Sequence, residues 1–139
     1  FTPAETAAPV ANRGAPGKRP RSAMAPTLVC DARGELVATL GSPGGSLIIN
    51  YVAKTLGAML DWGLSPQQAV DLANFGSRNG PTEIEAGTEA EPWGAVLAAR
   101  AGHQVRAIEM TSGAQAIRAT PEGLDGGADS RREGVAIGD

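Results

Sequence analysis

Aromatic side chains make up only 4% of this 139-residue sequence, too few for the stacking platforms that hold single-stranded nucleic acid. Positive charge is not in excess either. The formal net charge is −3 and the pI ≈ 5.2, so no strongly basic surface recruits a phosphate backbone. A single cysteine, Cys30, excludes an internal disulfide. Because it sits in an apolar, strand-like run, it reads as a buried, inert thiol. The one histidine, His103, falls at a helix–strand junction and reads as a surface or capping residue. No cluster of His, Cys, Asp or Glu at ligand spacing accompanies it, so no metal site is expected. Nothing supports a Ser/His/Asp relay through it. There is no run of about 18 apolar residues, so no helix is expected to span a membrane. Phe1-Thr2-Pro3 carries neither an initiator Met nor a signal-peptide pattern. The chain therefore reads as a piece of something longer, either processed or incompletely present.

What the sequence does have is 19 glycines and 10 prolines, which predict short elements joined by tight turns. Residues 1–26 are proline-rich and show no hydrophobic period. Their basic residues Arg13, Lys18, Arg19 and Arg21 face one acid, Glu5. This is an extended segment that orders by docking, or a mobile arm; its charge is a solvated run or an anion-binding patch. Thr27–Cys30 and Leu36–Leu40 are predicted strands, with Asp31-Ala32-Arg33-Gly34 as a hairpin turn between them. Both runs are nearly continuously apolar, which places the hairpin inside a larger sheet.

The spacing predicts a helix from Leu47 to Trp62. Ile48, Val52, Leu56 and Met59 or Leu60 form its buried face, and Lys54 and Asp61 fall away from it. Gly63 ends it. Ser65-Pro66-Gln67-Gln68 then starts another helix with a capping box. Residues 75–81 read as a polar loop and residues 82–86 as a short strand. A third helix starts at Thr88 or Glu89 and closes on Gly102 as its C′ glycine. Strands follow at 103–110, 114–119 and around 124–128. There is no internal repeat.

The chain is organised around Gly41-Ser42-Pro43-Gly44-Gly45-Ser46, between an apolar strand and a long helix. A strand that turns through glycines into a helix presents bare N–H groups at the positive helix end, suited to an anion or a developing oxyanion. Pro43 removes one donor, and Gly44 and Gly45 let a substrate atom approach their amides. The same residues also suit a tight turn with no ligand. The loop lacks the Lys-Ser/Thr pair of a P-loop and the G-x-G-x-x-G spacing of a dinucleotide site. What remains is a donor-rich loop without a nucleophile, which is half of an acyl-transfer site.

At this point the residues match a family. Residues 16–27, PGKRPRSAMAPT, resemble the P-G-K-R-P-x-S-S-M-x-P-T segment of γ-glutamyltranspeptidases (glutathione hydrolases). Gly41 to Ser46 matches that family's G-S-P-G-G-S oxyanion loop. Asp61-Trp62-Gly63 and Gln68-Ala69-Val70 match its D-x-G…A-V segment. Asp129 to Gly138 resembles its C-terminal D-P-R…G…G signature, with Ser130 in place of Pro. The similarity covers essentially the whole chain.

The resemblance implies an α+β fold, the N-terminal-nucleophile hydrolase αββα sandwich. Residues 1–26 would be an extended segment carrying the substrate-binding Ser22-Ala23-Met24 motif. Residues 27–139 would be the C-terminal part of the catalytic domain, within the small subunit. In that family a precursor cleaves itself and a new N-terminal threonine forms an acyl-enzyme from a γ-glutamyl amide such as glutathione. Water, an amino acid or a peptide then takes the acyl group. The α-amine serves as base, so no histidine, metal or cofactor is implied. The amides of Gly44 and Gly45 would hold the oxyanion. Ser22 and Ala23 occupy the paired-serine position for the donor α-carboxylate, with the second serine replaced by Ala23. The nucleophile would lie upstream of Phe1, since Thr2 is not N-terminal and Pro3 does not match. The implied partners are the large subunit and the upstream part of the small subunit, with no nucleic acid and no membrane span. The implied location is periplasmic or secreted. A cephalosporin-type acylase and a poly-γ-glutamate-processing enzyme are alternatives within the superfamily. A non-catalytic anion-binding module is the alternative of another class.

Overall fold

Two apolar strands joined by a tight turn start the described architecture. β1 (Thr27–Cys30) and β2 (Leu36–Gly41) pair antiparallel, with Thr27 opposite Leu40 and a bulge between Val29 and Cys30. Asp31 closes the turn: its carboxylate accepts from the amides of Arg33 at 2.8 Å and Glu35 at 2.9 Å. Gly34 takes φ 85, as the turn requires. The computed structural model describes residues 11–19 and 22–138. The sequence readings on residues 1–10 and on Arg21 lie outside these residues.

β2 leads through a 3-10 turn (Gly45–Leu47) into α1 (Ile48–Leu60), and α2 (Pro66–Asp71) follows. The expected capping box is present. Ser65 Oγ accepts from Gln68 N at 3.2 Å, and Gln68 Oε1 accepts from Ser65 N at 3.0 Å. β3 (Phe75–Gly76), β4 (Thr82–Glu85), α3 (Trp93–Ala101), β5 (Val105–Ile108), β6 (Gln115–Thr120) and β7 (Gly123–Ala128) complete the order.

The strands form two sheets, ordered β1-β2-β6-β7, all antiparallel, and β3-β4-β5. In the smaller sheet β4 runs parallel to β5, with α3 as the crossover between them.

The core lies between one face of the larger sheet and the helices α1 and α2. Ala38, Leu40 and Ala116 point from the sheet to Ile48, Val52, Met59, Ala69 and Val70. Alternation sends Leu28, Ile117 and Leu124 to the other face, where they are 72%, 43% and 77% exposed. α2 comes closest to the sheet at Gly127, where a Cβ would lie 2.4 Å from the carbonyl carbon of Pro66. That helix therefore rests its backbone directly on a strand. Gln67 reaches from it to Ala128, accepting from its N–H and donating to its C=O, both at 3.1 Å.

Several expectations are corrected. Lys54 does not fall away from the buried face of α1. It is 8% exposed, because the helix is covered by α2 as well as by the sheet. Its Nζ donates to Leu72 O at 2.7 Å and Val70 O at 3.3 Å. Cys30 is exposed rather than buried, because β1 is an edge strand of the described sheet and Cys30 points to the uncovered face. The stretch 75–81 is not all loop, since Phe75 and Gly76 pair with Ile84 and Glu83. Helix α3 begins at Trp93, and the residues before it form successive turns. There Glu91 accepts from Gly87 N at 2.7 Å. The strand expected from 103 starts at Val105. His103 stays on the surface, its Nδ1 2.7 Å from Thr82 Oγ1. Gly102 does cap α3, with φ 66.

Candidate functional site

The register of the larger sheet gathers distant parts of the sequence at one end. Thr27 begins β1 opposite Leu40, while Gly41 ends β2 opposite Gln115, and Gln115 begins β6 opposite Ala128. The Ser22–Pro26 segment therefore arrives where the Gly41–Ser46 loop leaves. Residues 112–114 and Asp129 flank them at the same end.

The loop is shaped by its glycines. Gly44 has φ 136 and ψ 15, a conformation that a residue with a Cβ rarely adopts. A Cβ there would also lie 2.4 Å from Tyr51 Cε2 and 2.9 Å from Cδ2. Gly45 has φ 59, and a Cβ on it would meet nothing within 4 Å. Gly44 is thus packed beneath, whereas Gly45 borders open space. Gly44 O accepts from Leu47 N at 3.2 Å, and Gly45 O accepts from Ile48 N. Among the described residues neither Gly44 N–H nor Gly45 N–H donates to a protein group. This follows from their place: they precede the first residue whose amide the helix can use.

Both flanks of the loop are anchored. Ser42 Oγ donates to Pro43 O at 2.7 Å and accepts from Gly113 N at 3.3 Å. A Cβ at Gly113 would lie 2.9 Å from Pro43 Cγ, so this glycine lets the loop seat on the chain leading into β6. At the far flank Arg78 Nη1 donates to Ser46 Oγ at 3.3 Å. The same guanidinium binds Glu83 at 2.7 and 2.9 Å, and Arg106 adds a bond at 2.9 Å. The hydrogen bonds from Arg78 hold the Glu83 carboxyl below its ordinary range.

Of the residues singled out from the sequence, Gly44 and Gly45 form this loop. Ser22 is exposed, and its Oγ accepts from Met24 N at 3.1 Å; Ala23 is partly buried. The sheet register brings the two pairs to one end, as described.

Beside the loop lies a buried ionic cluster that sequence reasoning missed. Asp129 and Ser112 are fully buried, and Glu85 is 7% exposed. Ser112 Oγ donates to Asp129 Oδ2 at 2.5 Å and accepts from Asn74 Nδ2 at 2.8 Å. Arg131 donates to Asp129 Oδ1 at 3.0 Å and to Glu85 at 2.5 and 2.8 Å. Its remaining donors reach Val70 O and Leu72 O at 3.2 and 3.1 Å, at the C-terminal end of α2. Burial pushes the Asp129 carboxyl up, but the bonds from Ser112 and Arg131 outweigh it and hold the carboxyl below its ordinary value. Burial likewise drives the Lys54 ammonium down to about 8. In this cluster Asn74 Oδ1 lacks a partner among the described residues. The residues are 74, 85, 112, 129 and 131, so no local spacing links them. The one usable signal was the tail pattern Asp129-x-Arg131.

Among the described residues no group of three or more His, Cys, Asp or Glu could hold a metal ion. Among the same residues no helix is long and apolar enough to cross a membrane.

Comparison with known proteins bears on this geometry. A family profile described as gamma-glutamyltranspeptidase matches residues 2–139. The glutathione hydrolase proenzyme of Pseudomonas sp. (strain A14) is 36% identical over 142 residues, covering 92% of this chain and 24% of that protein. The glutathione hydrolase proenzyme of Escherichia coli (strain K12) is 35% identical over 123 residues, covering 87% and 21%. The chain thus spans less than a quarter of the length of these relatives. Among solved structures, gamma-glutamyltranspeptidase from Pseudomonas nitroreducens complexed with L-DON superposes with a TM-score of 0.79 at 26% identity. That match covers 94% of this chain and 69% of the other. The α+β fold is therefore that of the N-terminal-nucleophile hydrolases, and the chain belongs to the γ-glutamyltranspeptidase family.

Proposed function

We propose that this chain is the oxyanion-binding and donor-binding part of a γ-glutamyltransferase/glutathione hydrolase. The observation that carries the proposal is the pair of amides at Gly44 and Gly45, unspent among the described residues and open on the Gly45 side. A threonine outside this chain, N-terminal after precursor cleavage, attacks the γ-glutamyl carbonyl. Its own α-amine takes the hydroxyl proton. The carbonyl oxygen becomes an oxyanion that the two amides stabilise. Collapse expels the amine, which takes up the proton the α-amine held, and leaves a γ-glutamyl ester; water, an amino acid or a peptide then resolves the ester.

Ser22 supplies a hydroxyl, and the Ala23 region supplies backbone donors, to the donor α-carboxylate. They arrive at the loop's end of the sheet. In this reading residues 1–26 are the donor-binding arm and residues 27–139 belong to the catalytic layer. The uncovered sheet face with Leu28, Ile117 and Leu124 receives the second sheet of the αββα sandwich. The large subunit and the rest of the small subunit complete the enzyme, which works in the periplasm or outside the cell.

The test uses the complete precursor. Mixing processed enzyme with a γ-glutamyl anilide should give a burst of aniline, and intact mass of the quenched protein should show a glutamyl adduct on an N-terminal threonine. A burst of aniline with no adduct, or an adduct elsewhere, would refute the mechanism.

A further inference from the structure

We infer that Tyr51 is a positioning residue for acyl transfer, acting through Gly44; the inference rests on the function proposed above. Tyr51 lies in α1, two turns beyond Gly44. Helical side chains lean toward the N-terminus, so its ring reaches back beneath the loop. The ring edge sits where a Gly44 Cβ would be, 2.4 Å from Cε2. The ring cannot withdraw, because it is 2% exposed and packed with Leu47 and Met110.

The consequence is torsional. Glycine has the widest backbone freedom of any residue, so Gly44 left unsupported would sample many orientations. Its φ of 136 sets the direction of its own N–H, and its ψ of 15 sets the plane of the next peptide, which carries the Gly45 N–H. One glycine's torsions therefore aim both amides. The anchors at Ser42 and Ser46 fix the ends of the loop but do not touch these two angles. The backbone bond from Leu47 N to Gly44 O helps hold the second angle; the ring edge is the side-chain surface that bears on Gly44 itself. Donors of this kind act only when held within roughly 0.5 Å and 10–20° of the productive geometry. The hydroxyl of Tyr51 takes no part in this contact; the ring carbons make it.

The experiment measures the acylation rate constant and the donor dissociation constant from bursts with a γ-glutamyl anilide, in the assembled enzyme. Tyr51→Phe keeps the ring edge and should acylate within about twofold of wild type. Tyr51→Leu should lose about ten- to a hundredfold in acylation, less than the roughly 10²–10³ for a deleted oxyanion donor, with donor affinity unchanged. In the Tyr51→Leu background, Gly44→Ala should cost fewer fold than in wild type, because the clashing ring is gone. If Tyr51→Leu does not yield folded enzyme, Tyr51→Met fills the volume with a flexible chain and should show the same loss. A wild-type acylation rate in the Leu or Met variant overturns the inference, as does equal damage from Phe. So does a loss confined to donor affinity. A wild-type enzyme that releases no aniline from the γ-glutamyl anilide overturns the acyl-transfer reading and this inference with it.

Discussion

The glycine loop and the cluster around Arg131 sit at the same end of one sheet and treat their polar groups in opposite ways. In the cluster, both oxygens of Asp129 and both of Glu85 accept from buried or half-buried donors. In the loop, the N–H groups of Gly44 and Gly45 are left without an acceptor among the described residues. The cluster ties together the end of α2, the end of β4, the chain into β6 and the tail after β7. The loop is held at its ends, by Ser42 on Gly113 and by Ser46 on Arg78, and from beneath by the ring of Tyr51. A group satisfied inside the fold can only stabilise, whereas an unsatisfied one on a fixed frame can still bind something else. On the proposed function the cluster is the frame and the loop is the tool, and each should break without the other.

The largest effect should come from the frame. Arg131→Met leaves the Glu85 and Asp129 carboxylates buried without their cation, which should cost about 3–5 kcal/mol. Urea unfolding of the assembled protein measures it. A loss under about 1 kcal/mol would mean the cluster behaves like a surface pair. Next comes the tool. Gly45→Val places a side chain in the open space above the loop. Turnover should fall by roughly 10²–10³, while the left-handed backbone costs only about 1–2 kcal/mol of stability. Wild-type turnover in this variant would remove the oxyanion role. Ser22→Ala should weaken donor binding by about 1.5–3 kcal/mol, as expected for a hydrogen bond to a charged carboxylate, with no change in unfolding. An unchanged KM would remove Ser22 from the donor site.

The smallest effect is also in the frame. Lys54 has a folded-state pKa of about 8, below its ordinary 10.5. Between these values the unfolded chain binds more protons than the folded one, so stability should rise as the pH goes from 8 to 10.5. Tyr51, whose burial pushes its pKa above the ordinary 10.0, works the other way once the pH passes 10. Lys54→Met should remove the rise and change stability at pH 7 by less than about 1 kcal/mol, because Arg131 still donates to Val70 O and Leu72 O. A rise that persists in Lys54→Met would assign it to another group.

The two regions also differed in how legible they were. The loop is a contiguous run of six residues between a strand and a helix, so its place in the fold could be read from the sequence, as could the Ser65 capping box and the Gly102 cap. The support beneath it could not. A tyrosine at helical spacing reads as core, and only the fold shows its ring under Gly44. The cluster joins residues up to 57 positions apart, from Asn74 to Arg131, with no period to reveal it. Lys54 was misread because periodicity sorts residues by polarity, and a helix packed on two sides buries some polar ones. Cys30 was misread because an apolar strand does not say whether its second face is covered. The pairing of Phe75 and Gly76 is only two residues long, below any alternation signal.

The contact of Gln67 with Ala128 has a consequence for association. β7 is an edge of the described sheet, and an edge residue whose N–H and C=O both point outward is where another strand would start to pair. At Ala128 those two groups are already taken by one side-chain amide, which supplies a donor and an acceptor as a neighbouring peptide unit would. Gly127 makes this possible by letting α2 lie against the strand with no side chain between. A glutamine and a glycine thereby give the end of this strand a false neighbour, and sheet growth from another chain finds no free bonding position there.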